Sequence, residues 1–162
     1  MNSGVDILLV EDSQDDIDLA LHTLRQAKLA NSIFVVRDGE DALDFLFCRG
    51  AHSHRSFTHP PKLVLLDLKM PKVDGLQVLR QVKGDPRTKA IPVVIMTSSK
   101  EERDLIEGYH AGVNSFIQKP VDFEQFRETV KTLGMYWLVV NQLPVNHDAR
   151  IVVETGAITH EC

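Results

Sequence analysis

The chain has 162 residues, of which 43% are hydrophobic and 25% charged, so we expect one globular domain and no disordered, repetitive or second catalytic region. A formal net charge of −5 argues against a nucleic-acid binder, which normally carries a clustered basic face. The chain has two cysteines, no signal-peptide pattern and no apolar run of about 20 residues, which predicts a cytoplasmic protein that binds no membrane.

Five short apolar runs have the length of buried strands. They cover residues 7–10, 32–36, 63–66, 91–96 and 115–117. Between them, apolar residues recur at spacings of three and four, which predicts amphipathic helices at residues 14–28, 42–47, 76–82, 105–112 and 123–140. Asp15, Asp16 and Asp18 enrich the first turn of the first helix and complement its dipole. Alternating strands and helices need crossover connections, so we expect an α/β fold with a doubly wound parallel sheet.

Two regions lack a clear pattern. Residues 49–61 contain glycine, proline and histidine without a period, which predicts a long loop. We expect residues 1–144 to form the domain and residues 145–162 to form a C-terminal extension without an assigned role. Within that extension, residues 151–153 could form a strand, but nothing in the sequence fixes its partner.

Acidic and polar side chains follow several predicted strands at the point where each strand ends. They are Glu11 and Asp12 after the first strand, Asp67 after the third, Thr97 after the fourth and Lys119 after the fifth. Ligands of open parallel sheets bind outside the carboxyl ends of the strands, so these residues should share one rim. Clustered carboxylates repel one another unless a hard cation lies among them, and Mg²⁺ combines a few carboxylates with phosphate oxygens. The pattern therefore predicts a magnesium site that handles a phosphoryl group.

Asp67 is the best candidate to accept that phosphoryl group. It ends the central strand and precedes a Met-Pro turn that would hold its carboxylate at the rim. Glu11 and Asp12 are then metal-site residues. The Lys119 ammonium can neutralise phosphoryl oxygens, and the Thr97 hydroxyl can donate a hydrogen bond to one of them.

This combination of residues resembles the receiver domain of two-component response regulators over roughly residues 5 to 140. The matching elements are Glu11-Asp12, Asp67, Met70-Pro71, Asp74-Gly75, Thr97, Phe116 and Lys119-Pro120. The resemblance implies a flavodoxin-like (βα)5 fold with strand order 2-1-3-4-5 and an extended last helix. It also implies a phosphorylated signalling switch and not a metabolic enzyme.

The same resemblance implies a role for each site residue. Asp67 would take a phosphoryl group from the phosphohistidine of a sensor histidine kinase, with Mg²⁺ bound directly by Asp12 and Asp67. Glu11 would act through metal-bound water, and the backbone carbonyl of Lys69 would be the third protein ligand. Lys119 would pair with the phosphoryl group.

Phosphorylation is expected to act through a pair of switch residues. Thr97 would move toward the phosphoryl group while Phe116 swings inward, which would alter the face built by the fourth predicted helix, the fifth strand and the last helix. Because no output domain is predicted, we expect a homodimer through that face. The Lys119-Pro120 peptide is expected to be cis.

A narrower resemblance concerns stand-alone regulators that are paired with phytochrome-type histidine kinases. It depends on the long loop before the third strand and on the segments Tyr136-Trp137-Leu138 and Leu143-Pro144. The resemblance indicates a sensor class for the partner kinase.

Other functions could use the same residues. A Mg²⁺-dependent phosphohydrolase could form an aspartyl phosphate, although such enzymes commonly place a general acid where this chain has Lys69. A constitutive adaptor could keep the fold without phosphorylation, but it would not need the acidic cluster. The strand-end acids could also only cap the following helices. A metal site at His52, His54 and His59 is disfavoured, because these residues lie in a flexible loop and lack helical spacing and a carboxylate partner.

Overall fold

The strands form where the sequence is continuously apolar. The computed structural model describes residues 5–27, 32–98 and 115–134, together with the backbone of residues 152–155. The strands are β1 Ile7–Val10, β2 Ser32–Val36, β3 Leu63–Asp67, β4 Val93–Thr97, β5 Ser115–Gln118 and β6 Val152–Thr155. The first five lie on the predicted apolar runs, with ends that shift by no more than two residues.

The helices of the described part begin at side-chain caps. They are α1 Gln14–Gln26, α2 Gly39–Leu46, α3 Gly75–Lys83 and α4 Phe123–Thr132, with a 3-10 helix at Gly50–His52. Ser13, Asp38, Asp74 and Asp122 each accept a hydrogen bond from the backbone N–H three residues later. Helix α4 is the start of the last predicted helix, while its continuation past residue 134 and the predicted helix at residues 105–112 lie outside the described residues. None of the described helices is long and apolar enough to cross a membrane.

The sheet is parallel throughout, in the order β5-β4-β3-β1-β2-β6. The predicted order of the first five strands is confirmed. Strand β6 adds a sixth strand beside β2, with Ser32 in register with Val152. The sequence left this C-terminal segment without a partner, because an exposed strand edge accepts any extended backbone. Strand β3 lies inside the sheet, which places its last residue, Asp67, at the middle of the carboxyl edge.

Both faces of the sheet are covered by helices, as the buried strands predict. Successive strand residues point to opposite faces. The core between the sheet and helices α1 and α4 includes Ile7, Leu9, Leu24 and Phe126. The core between the sheet and helices α2 and α3 includes Leu8, Val10, Phe45 and Leu79. The result is a three-layer α/β domain with one hydrophobic core on each side of the sheet.

The loop at residues 49–61 is fixed more firmly than the sequence predicted. His52 is 6% exposed, and its Nε2 lies 2.8 Å from Oδ1 of Asp41. The guanidinium carbon of Arg55 lies 3.7 Å from the centre of the Phe45 ring, and Arg55 also donates to the Phe45 carbonyl. Contacts of single side chains such as these hold the segment, and they leave no periodic pattern in a sequence.

Candidate functional site

The carboxyl ends of β1, β3 and β4 form one rim of the sheet. Asp67 ends β3 and is in register with Met96, the residue before Thr97 on β4. On the other side of β3, Glu11 and Asp12 follow directly after β1. The parallel topology therefore brings the predicted strand-end residues together.

Three carboxylates form a cluster at this rim. Glu11, Asp12 and Asp67 each place one oxygen within 4.8 Å of the others. Burial raises the pKa of Glu11 against the lowering effect of Lys119, and the charge on Asp67 raises this pKa further. Burial also raises the pKa of Asp67 against the opposing effect of Lys119, and Asp12 adds to the rise. Ionising this cluster is costly unless positive charge lies within it.

Lys119 brings positive charge to the cluster. Its Nζ lies 2.9 Å from Oε1 of Glu11, 2.9 Å from Oδ2 of Asp16 and 3.1 Å from Oδ1 of Asp67. Burial lowers the pKa of Lys119, but the contacts with Glu11 and Asp16 outweigh burial and raise the pKa above its ordinary value. Lys119 is therefore held as an ammonium ion.

Asp16 belongs to this site, although the sequence pattern predicted only that it lies in the first turn of α1. The spacing of Ser13 and Asp16 is that of a helix cap, which explains an acid at this position without any site. The contact between Lys119 and Asp16 joins residues 103 positions apart. No local pattern in the sequence could have separated the two roles.

Close backbone packing fixes the loop that follows Asp67. A Cβ atom at Gly75 would lie 2.3 Å from the Asp67 carbonyl oxygen, and one at Gly39 would lie 1.7 Å from the Val73 carbonyl oxygen. Both positions therefore require glycine. The backbone N–H of Lys69 donates a hydrogen bond to the Asp67 carboxylate and lowers its pKa slightly against burial. The loop thus holds Lys69 beside the carboxylate.

The predicted switch residues lie on neighbouring strands. Thr97 is buried at the end of β4, and its carbonyl accepts a hydrogen bond of 2.8 Å from the N–H of Lys119. Phe116 is half-buried on β5 and packs against the core on the α2 and α3 side. The Lys119–Pro120 peptide is cis, as the sequence predicted.

The acidic cluster suits a magnesium ion. The buried Oε1 of Glu11 accepts no hydrogen bond, so its contact with Lys119 is ionic and it keeps free acceptor capacity. Oxygen ligands of this kind are the ones that Mg²⁺ prefers. Among the described residues, this is the only group of three or more acidic, histidine or cysteine side chains whose ligand atoms converge. His52, His54 and His59 form no such group.

A doubly wound parallel sheet with a carboxylate cluster and a lysine at its carboxyl edge fits the expected class of phosphoryl-accepting signalling domains. Residues 7–131 match the family described as the response regulator receiver domain, and the chain belongs to that family. Receiver domains accept phosphoryl groups from histidine kinases. The resemblance that the sequence showed is therefore confirmed.

Relatives cover most of this chain. The probable methanogenesis regulatory protein FilR2 of Methanothrix harundinacea is 41% identical over 138 residues, which are 85% of this chain and 86% of FilR2. The structure of the bacteriophytochrome response regulator AtBRR is 48% identical, with a TM-score of 0.79 over 87% of this chain and 100% of that one. The Mn²⁺-bound form of response regulator Rcp1, a protein of Synechocystis, is 35% identical, with a TM-score of 0.67 over 87% of this chain and 99% of that one.

Proposed function

We propose that this protein is a phosphorylation switch in which Asp67 accepts a phosphoryl group from the phosphohistidine of a sensor histidine kinase. The placement of Asp67 carries the proposal. It is 6% exposed at the end of a central strand, and the Lys119 ammonium lies 3.1 Å from its Oδ1. Oxygens of Glu11 and Asp12 lie within 4.8 Å. Membership in the receiver family supports the same role.

In the proposed step, a carboxylate oxygen of Asp67 attacks the phosphorus atom of the phosphohistidine. A P–O bond forms as the P–N bond breaks, and the leaving nitrogen keeps the electron pair of that bond. The kinase side chain leaves as neutral imidazole, because its other ring nitrogen carries a proton. Lys119 offsets the negative charge that the phosphoryl group brings, and the Thr97 hydroxyl donates a hydrogen bond to it.

The proposed metal ligands are Asp12, Asp67 and the backbone carbonyl of Lys69, with Glu11 acting through water. Mg²⁺, when bound, supplies positive charge that the carboxylates and the phosphoryl oxygens share. The convergence of the three carboxylates and the free acceptor capacity of Glu11 support this assignment. The Mn²⁺-bound form of Rcp1 is a relative that holds a divalent cation.

The proposed output passes through Thr97 and Phe116. Inward movement of the half-buried Phe116 would change the surface of β5 and α4 and thereby the partners that this surface binds. We place a homodimer contact on the face formed by the predicted helix at residues 105–112, β5 and α4. Light scattering of the phosphorylated and unphosphorylated protein tests this: a monomer mass that does not vary with concentration in either state contradicts the dimer.

The partner kinase in this proposal is of the phytochrome type, and both proteins act in the cytoplasm. The 48% identity to a bacteriophytochrome response regulator supports the pairing. The hydrolase alternative has less support, because Lys69 stands where such an enzyme places its general acid.

Intact mass spectrometry tests phosphoryl acceptance. In Mg²⁺ and acetyl phosphate, we expect the wild type to gain one phosphoryl mass that hydroxylamine removes, because hydroxylamine cleaves acyl phosphates. The Asp67→Asn variant should show no gain, whereas Asp74→Asn, which keeps a helix cap in the same loop, should behave as the wild type. No gain in the wild type contradicts the proposal, and rapid repeated turnover of the donor indicates a hydrolase.

A further inference from the structure

The carboxylate of Asp16 is not used as a helix cap, although its position allows that role. Ser13 Oγ accepts a hydrogen bond of 3.3 Å from the Asp16 N–H, which is one half of a capping box. The other half is not formed, because the Ser13 N–H donates to Oε2 of Glu11 at 3.1 Å instead. Asp16 Oδ2 accepts a hydrogen bond of 2.9 Å from Lys119 Nζ. The first turn of α1 thus turns one of its acids toward the site.

Three carboxylates surround an ammonium group that has three N–H donors. Asp67 lies 3.1 Å from Nζ, while Glu11 and Asp16 each lie 2.9 Å from it. A lysine side chain is flexible, so one or two contacts leave its head group free to rotate. Asp16 accepts a hydrogen bond from the Lys119 ammonium and Glu11 attracts its charge, so the two carboxylates together hold the head group beside Asp67.

We propose that Asp16 is a positioning residue, whose carboxylate holds the Lys119 ammonium so that one N–H is directed at the phosphoryl group on Asp67. This inference rests on the proposed function of Asp67 and adds a residue to it. Asp16 lies outside the trio of carboxylates that converge as a metal site. Its effect therefore passes through Lys119 and leaves the metal ligands in place.

The alternative is that Asp16 only stabilises the start of α1 through the helix dipole. Asp15 is a matched control, because it is an exposed acid in the same helical turn. Asp15→Ala removes the same charge from the same turn without removing the hydrogen bond to Lys119. Asp16→Asn keeps the size of the side chain and an oxygen that can accept a hydrogen bond from the ammonium.

The experiment measures the rate of phosphoryl gain from saturating acetyl phosphate and Mg²⁺ by intact mass spectrometry. We expect Asp16→Ala to lower this rate by about tenfold, because misplacing a group that contacts the reacting centre costs this much or more. Asp16→Asn should recover most of the rate, and Asp15→Ala should stay within about twofold of the wild type. The dissociation constant of Mg²⁺, measured by calorimetry, should change by less than about twofold in every variant.

Urea unfolding establishes that each variant is folded. Asp16→Ser, whose side chain is too short to reach Lys119, gives the same comparison if the alanine variant does not fold. Equal rates for Asp16→Ala and Asp15→Ala would overturn the inference while leaving Asp67 as the acceptor. A wild type that gains no mass would overturn the proposed function and this inference with it.

Discussion

The carboxyl groups of Asp67 and Glu11 lie where burial disfavours their charged forms. Burial raises the pKa of both above the ordinary values of 3.8 and 4.5. At pH values between the ordinary and the raised pKa, the folded state binds more protons than the unfolded state. The free energy of unfolding therefore falls as the pH rises through this window. The raised pKa of Lys119 instead stabilises the folded state, and this stabilisation is lost only at strongly alkaline pH.

Replacing Asp67 by asparagine removes one of these buried carboxyl groups. In the absence of Mg²⁺, we expect the free energy of unfolding of Asp67→Asn to exceed that of the wild type by about 1 kcal/mol at pH 7, and this advantage should shrink toward pH 4. Urea unfolding across that range measures the difference. Saturating Mg²⁺ should reduce the advantage, because the wild type binds the ion more tightly. An advantage independent of pH would contradict this account of the Asp67 pKa.

Helix α2 and the loop after Asp67 form one packed unit. Gly39 at the start of α2 meets the backbone of Val73 in that loop. Lys72 has a φ of 68° and places its Nζ 3.7 Å from Asp38 and 3.6 Å from Glu40. The start of α2 thus determines where the loop runs, and the loop carries the Lys69 carbonyl.

Replacing Gly39 by alanine tests this packing. Its Cβ would lie 1.7 Å from the Val73 carbonyl oxygen, so either the helix or the loop must move. We expect Gly39→Ala to lower the free energy of unfolding by about 2 kcal/mol or more and to weaken Mg²⁺ binding. Gly84→Ala is the control, since its Cβ comes no closer than 3.0 Å to another atom, the carbonyl oxygen of Arg80. Urea unfolding and calorimetry measure the two effects. An unchanged Mg²⁺ affinity in Gly39→Ala would show that the position of the loop does not affect the metal site.

Strands and helices with a periodic pattern of buried residues could be predicted from the sequence, whereas contacts of single side chains could not. Strand β1 and helix α1 could be located because burial on one or both faces imposes a period on the residues. The rim of Glu11, Asp12 and Asp67 could be predicted because parallel strands end at one edge. The role of Asp16 and the anchors of the loop at residues 49–61 could not be predicted, because each depends on one contact between individual side chains.

Across the whole molecule, the C-terminal extension takes part in the sheet through β6. Its pairing with β2 runs from Ser32 with Val152 to Val35 with Thr155. The sequence predicted a possible strand here, but the choice of β2 depends on which edge of the assembled sheet is open. We propose that residues 1–144 fold without the extension and that β6 protects one edge of the sheet.

Truncation after residue 144 tests this proposal. We expect the shortened protein to unfold cooperatively but with a free energy of unfolding lower by about 1 to 2 kcal/mol, because β2 loses its outer partner. Hydrogen exchange should become faster at the amides of β2 and stay the same in β4. Equal protection of β2 in both forms would show that β6 does not hold this edge in solution.

The position of β3 divides the sheet unequally. Strands β4 and β5 lie on one side, while β1, β2 and β6 lie on the other. From Asp67, two strands lie between β3 and the β5 edge of the described sheet, counting β5 itself, and three lie toward the β6 edge, counting β6. We therefore expect a displacement at Asp67 to reach the β5 edge by the shorter path, because fewer strands have to shift in that direction.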